Sequence, residues 1–478
     1  MSAEVYLDMT SPALRRRMTS MDAAFLYTEK PTLPLHIGST SVLDGPISKE
    51  TMVGHMESRM HRIPRYRELA VFDAFNVGHP RWEDDPNFDV KRHIDEITLP
   101  VGSTYEDLMA TISTIHSQML PSDRPLWKMV MIHGLPGGAT AMCMLVHHCM
   151  VDGVSGVELL TTVTDLERDV EPEAPQPYTP MPASTTVERA RDAWRDTVES
   201  AMAQQNDAVR WSMDPERQLR EMQAISSALI SAGPSFSQPA PATPFNRPVS
   251  GNRSYAVVAL SFGEIRGVRG VLGGTINDVV LSALSGGMGA YLREHGISTE
   301  RMELRAMVPV NVRTEADKTA LGNAVSMLIA PLPVGILDPV ERHNAVMAGM
   351  GRLKSANQAG GFALMSRLSE QVPPALQAFA GSMTPNGQTL FNMICTNVPG
   401  PQIPLYIAGR KIEELWPLVP LSAGMGCNVC LTSYNGVLYW GICADPKLVP
   451  DVDRVATLIR ESFDQLKDVA TAASALPA

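Results

Sequence analysis

The residues best placed to do chemistry are His147 and His148, followed by the acid Asp152 and the chain-breaking Gly153. They close an apolar run, Met142-Cys143-Met144-Leu145-Val146, which predicts a buried strand. From Val154 the apolar spacing turns helical, so the pair should stand where a strand gives way to a helix, facing a cleft. An imidazole suits proton transfer there, because its unperturbed pKa of about 6.5 lets it take a proton from a hydroxyl and later return it. Asp152 follows His148 too closely for a Ser-His-Asp relay to be assumed. It reads instead as a buried carboxylate that fixes the loop by pairing with an arginine elsewhere. Two other readings stay open: adjacent histidines can be core residues with satisfied hydrogen bonds, and His-His-x-x-x-Asp could supply metal ligands. Neighbouring strand residues point to opposite faces, and no third ligand cluster of recognisable spacing accompanies the pair, so no metal is expected.

The elements that must hold this pair are those of a large globular chain. Its 478 residues, 44% hydrophobic and 19% charged, exceed what one core usually supports, which argues for two domains with the site between them. A net charge of −11 disfavours nucleic acid and makes any attachment to anionic lipid a local matter. The basic cluster Arg15-Arg16-Arg17 reads first as a solvated arm and second as a lipid contact. The 28 methionines suit irregular core gaps. Six cysteines lack disulfide spacing and no signal peptide precedes them, which suggests a reducing compartment. Cys427 and Cys430 lie in a strand-like run where positions three apart face opposite sides, so core filling is expected rather than redox chemistry. Met129 to Val151 carries no charged residue, yet Pro136-Gly137-Gly138 divides it into a hairpin rather than a membrane span.

In chain order, His36 to Leu43 alternates as a strand, and Ser48 to Arg62 reads as a helix with Met52, Met56 and Met60 on one face. Ser103 with Glu106 reads as a capping box for a helix carrying Leu108, Ile112, Ile115 and Met119. A polar helical stretch from Thr185 to about Ile230 lies between Pro-rich segments and reads as a crossover. Strands follow at Tyr255 to Phe262 and Met307 to Arg313. Thr275 and Asp278 make a cap for the helix between them, and Asp338-Pro339 opens another. Asn435-Gly436 marks a hairpin turn, and a last amphipathic helix carries Val455, Ile459, Phe463 and Leu466.

His-His-x-x-x-Asp-Gly resembles the signature of the acyltransferase superfamily that includes chloramphenicol acetyltransferase, plant alcohol acyltransferases and peptide-synthetase condensation domains. Met21-Asp22-Ala23-Ala24-Phe25, Arg81 to Asp89, Pro125-Leu126-Trp127, Asn277-Asp278 and Asn397-Val398-Pro399-Gly400-Pro401 resemble, in order, the bacterial wax ester synthase/diacylglycerol acyltransferase family within it. The resemblance runs from Met21 to about Leu466. It implies a mixed α/β fold of two chloramphenicol-acetyltransferase-like lobes around a central substrate channel. The expected division is an arm at 1–20, a lobe at 21–184, a crossover at 185–250 and a lobe at 251–478. The implied reaction moves a long acyl chain from acyl-CoA to diacylglycerol or a fatty alcohol, with acyl-CoA as substrate and no cofactor. His148 would be the general base and His147 its support, with Asp152 and Gly153 structural and Arg313 the partner of Asp152. Asn277 and Asp278 would be structural, while Pro125, Leu126, Trp127 and Asn397 are candidates for substrate contact, Asn397 and the backbone near Gly153 also for the oxyanion. The expected place is the cytoplasm, peripheral to the inner membrane face or on lipid droplets. Two alternatives remain: a lipid-binding or droplet-coat protein of this fold with weak turnover, and an acyltransferase fed by a carrier protein.

Overall fold

A computed structural model describes residues 17–73, 76, 78–150, 160–171, 173–216, 218–219, 222–223, 239–311, 325–355, 374–382 and 390–474. Helix α1 (Ser20–Thr28) begins where the Thr19 hydroxyl accepts the Asp22 N–H, and it stops at the extended Glu29. The alternating segment after it is strand β1 (His36–Leu43), and α2 (Lys49–Arg59) is capped by Ser48 and buries Met52 and Met56. A small antiparallel pair, β2 (Glu68–Val71) and β3 (Arg81–Asp84), precedes β4 (Ile94–Thr98). Helix α3 (Tyr105–His116) starts one residue later than its sequence suggests, because Thr104 and Asp107, not Ser103 and Glu106, exchange the reciprocal capping bonds. The uncharged run folds as the antiparallel hairpin β5 (Trp127–His133) and β6 (Thr140–His147). Its turn uses Gly137 and Gly138 at φ of 73° and 76°, a conformation that side chains resist.

The crossover helix α4 (Thr186–Met213) opens with a capping box between Thr185 and Glu188. Its first half is tied down by Arg81, which pairs with Asp196, and by Ala193, which is fully buried. The second half of the chain holds β7 (Ser254–Ser261), α5 (Phe262–Leu272), α6 (Ile276–Glu294), β8 (Leu304–Asn311) and β9 (Val325–Leu332). It continues through α7 (Pro339–Ser355), α8 (Pro374–Ser382), β10 (Met393–Val398), β11 (Tyr406–Ile407) and β12 (Arg410–Leu418). It ends with the hairpin β13 (Cys427–Tyr434) and β14 (Val437–Ala444) and the long α9 (Val452–Ser474).

Two mixed sheets result, one ordered β11-β12-β1-β6-β5-β4 and the other β7-β14-β13-β10-β8-β9. Each carries helices on a face and encloses its own apolar core. The lobes are not cut at a single point in the chain. Residues 406–418, expected in the second lobe, cross over and complete the first sheet, with β12 antiparallel to β1. The sheets meet where β12 lies on β14: the Tyr255 hydroxyl donates to the Pro417 carbonyl at 2.7 Å, and a Cβ on Gly441 would stand 1.8 Å from that carbonyl. Cys427 and Cys430 face opposite sides of β13, one in the second core and the other in a small cluster with Cys443, as core filling requires. No described helix is long and apolar enough to cross a membrane.

Candidate active site

Strand β6 delivers His147 as its last residue, and His148 opens a short 3-10 turn to Met150. The two imidazoles have different surroundings at that junction. His147 is fully buried, with its N–H on the Leu126 carbonyl at 2.9 Å and its position directly opposite His36 on β1. Its Nδ1 accepts the Cys149 N–H at 3.2 Å, and its Nε2 lies 3.3 Å from Glu29 Oε1 in a contact too angled for an ideal hydrogen bond. His148 keeps part of its surface open. Its ring stacks on Phe25 with centroids 3.9 Å apart and planes 13° from parallel, and its Nδ1 is enclosed without an aligned partner. Burial pushes the His148 imidazole down to about 4; its own carbonyl favours the charged form and His147 opposes it, neither enough to change the outcome. The ring is therefore neutral and able to accept a proton at physiological pH. The neighbouring Cys149 thiol is driven well above its ordinary value by burial, with the Asp22 and Glu29 carboxylates adding to the effect, so it is not primed as a thiolate nucleophile.

Glu29, Phe25 and His36 complete this site: the sequence showed Phe25 only as part of a family motif and His36 only as the start of a strand, and Glu29 was not singled out. Burial raises the Glu29 carboxyl, but the His147 imidazole, the Leu35 N–H and His36 outweigh it and hold the acid below its usual range. His36 is itself pushed down to about 4 by burial, and its Nε2 contacts the His116 carbonyl at 3.1 Å. The usable signal was spacing: Phe25 and Glu29 are four apart at the end of a helix, hence on one side of it. A carboxylate there, just before a strand, reads as solvated until the strand is seen to cover it.

The other candidates divide. Asn397 donates to Asn277 Oδ1 at 2.7 Å, so the two motif asparagines do meet, and one of the two N–H groups of Asn397 is committed to that bond. Asp278 accepts from the Thr275 N–H and hydroxyl, both at 2.8 Å, and is a helix cap. No hydrogen bond or ring contact among the described residues joins this amide pair to the histidines. Of Pro125, Leu126 and Trp127, expected to contact substrate, the last two belong to the first core. Both faces of the Trp127 ring are covered, by His93 at 4.2 Å and Tyr66 at 5.1 Å, its Nε1 donates to the Tyr66 carbonyl, and all three residues are buried. Asp152, Gly153 and Arg313, including the expected ion pair, lie outside the described residues.

Against known proteins, the wax ester synthase/diacylglycerol acyltransferase catalytic domain matches residues 18–280 and the C-terminal domain of the same family matches residues 321–467. The chain belongs to this wax ester synthase/diacylglycerol acyltransferase family. Among relatives of the family, the probable diacylglycerol O-acyltransferase tgs1 of Mycobacterium tuberculosis (strain ATCC 25618 / H37Rv) is 28% identical over 462 residues, covering 94% of this chain and 95% of its own. A protein named putative diacylglycerol O-acyltransferase MT1809, of Mycobacterium tuberculosis (strain CDC 1551 / Oshkosh), is 30% identical over 472 residues, covering 95% and 90%. The wax ester synthase/diacylglycerol acyltransferase of Marinobacter aquaeolei VT8 superposes with a TM-score of 0.66 at 22% identity, over 95% of this chain and all of that one. The first condensation domain of the calcium-dependent antibiotic synthetase shares the two-lobed fold at a TM-score of 0.58 and 17% identity, over 94% and 96%.

Proposed function

We propose that the chain transfers a long-chain acyl group from acyl-CoA to the hydroxyl of diacylglycerol, and accepts a fatty alcohol as a second acceptor. The observation that carries this reading is His148: a neutral, partly open imidazole at a strand end, backed by Phe25, with Nδ1 enclosed so that Nε2 is left to meet a hydroxyl. The names of the mycobacterial relatives support the acceptor. In this mechanism the acceptor oxygen attacks the thioester carbonyl while its proton passes to His148. The tetrahedral oxyanion collapses, the carbon–sulfur bond breaks, and the CoA sulfur leaves with the proton held by the imidazole. The enzyme forms no acyl intermediate of its own, and acyl-CoA is a substrate rather than a bound cofactor. Both lipid substrates reside in membranes and droplets, so we place the protein at such a surface, attached peripherally.

The deciding assay offers purified protein labelled palmitoyl-CoA with diacylglycerol, with hexadecanol and with no acceptor in parallel. Labelled triacylglycerol and wax ester, dependent on acceptor, are expected. Saturable acyl-chain binding without transfer would make it a lipid-binding protein, and transfer only from a carrier-bound acyl group would make it carrier-dependent. Alkaline carbonate should release any membrane-bound fraction, and retention would rule out peripheral attachment.

A further inference from the structure

Glu29, half-buried, reaches the turn that carries His148 by three separate routes, two through its carboxylate and one through its main chain. Its Oε1 accepts the Leu35 N–H at 3.0 Å, and the carbonyl of the same Leu35 accepts the His148 N–H at 2.9 Å. That Oε1 also lies 3.3 Å from His147 Nε2. The Glu29 N–H, in turn, closes helix α1 on the carbonyl of Phe25, whose ring stacks on His148. The side of His147 away from Glu29 decides the tautomer. Because the Cys149 N–H points at Nδ1, that nitrogen must present a lone pair, and the ring proton must sit on Nε2, facing the carboxylate. With the proton on Nδ1 instead, two donors would oppose each other and the turn from His148 to Met150 would open.

We propose that Glu29 is a positioning residue that clamps both flanks of His148, through Leu35 on one side and through the Nε2-protonated tautomer of His147 on the other. It rests on the acyl-transfer reading for its kinetic consequence, but not for its tautomer. Glu29 does not touch the reacting atoms. Its charge matters because the same carboxylate oxygen that accepts the Leu35 N–H lies 3.3 Å from His147 Nε2, close enough to favour a proton on that nitrogen without an aligned hydrogen bond. In Glu29→Gln the negative charge that favours a proton on His147 Nε2 is lost even where the amide oxygen keeps the Leu35 N–H, and an NH2 group turned to that position would donate to Nε2 and favour the other tautomer.

The test uses the full chain. Glu29→Gln and Glu29→Ala should lower kcat about 10- to 100-fold, the range for lost orienting partners, with KM for palmitoyl-CoA unchanged and the protein folded by circular dichroism. The double variant Glu29→Gln/His147→Ala should be no slower than His147→Ala alone, because the effect travels through His147. Nitrogen-15 spectra of histidine-labelled protein, with His147→Ala for assignment, should show His147 protonated on Nε2 in the parent and shifted toward Nδ1 in Glu29→Gln. A folded Glu29→Gln protein with parental kcat and an unchanged His147 tautomer would overturn the proposal, as would full additivity in the double variant. If Glu29→Ala fails to fold, Glu29→Gln carries the test. If the parent transfers no acyl group at all, the functional reading fails while the tautomer measurement still judges the clamp.

Discussion

At the scale of single residues, the proposed mechanism gives two adjacent histidines different duties, and their surroundings differ accordingly. His148, partly open and stacked on Phe25, is placed to exchange a proton; His147, fully buried, is bonded into the turn on which His148 stands. Removing the base should cost rate and little stability, since general base catalysis contributes about 10² to 10⁴ in rate. His148→Ala is therefore expected to lose most turnover while keeping its melting temperature and acyl-CoA binding. His147→Ala should retain partial activity with a lower melting temperature, because it leaves the Cys149 N–H and Glu29 without their partner. Steady-state rates and thermal melts of the two variants check the assignment, and parental turnover in folded His148→Ala would sink it.

Among the elements, the junction of β12 with β14 decides whether the two sheets stay together. Gly441 is required there by close approach rather than by its torsion angles, since an added Cβ would meet the Pro417 carbonyl at 1.8 Å. Gly441→Ala should destabilise by about 1–3 kcal/mol, the usual cost of overpacking. Gly267, in the exposed middle of α5, meets nothing within 4 Å. Gly267→Ala should instead stabilise by about 0.5–1 kcal/mol, because it removes helix-opposing backbone entropy. Denaturant midpoints of the two variants should move in opposite directions. A midpoint unchanged or raised in Gly441→Ala would mean that the crossing of β12 does not depend on this contact.

For the molecule as a whole, a set of buried imidazoles sets the response to acid. His36 and His148 are pushed down to about 4 by burial, as is His79, where the Arg17 charge adds to the effect. Their unfolded forms titrate near 6.5. The unfolded chain thus binds more protons than the native one between those values, so the stability contributed is whole above about pH 6.5 and lost as the pH falls toward 4. For fully buried His36 alone the difference corresponds to roughly 3 kcal/mol. Melting temperature should fall steadily from pH 6.5 to 4, and His36→Gln should flatten that slope. A melting curve independent of pH across this window would mean that these rings are not held neutral.

Much of this was legible in the residues alone. The apolar run and its Pro-Gly-Gly break specify the β5–β6 hairpin, since uncharged alternation and a turn are local properties; Thr275 and Asp278 specify their cap for the same reason. The order of the motifs marked the family, and His147-His148 marked the candidate site. Tertiary structure decided what depends on distant segments meeting. Glu29 stands 118 residues before His147 in the chain, and only the pairing of β1 with β6 brings them to 3.3 Å. The packing of Trp127 was decided the same way, because His93 and Tyr66, from two other segments, stack on its ring. Residues 406–418 joined the first sheet because β1 offers an edge along which β12 pairs antiparallel. Local spacing specifies the element a residue belongs to; burial and partners, which set the charge and orientation of His148, are properties of the assembled core.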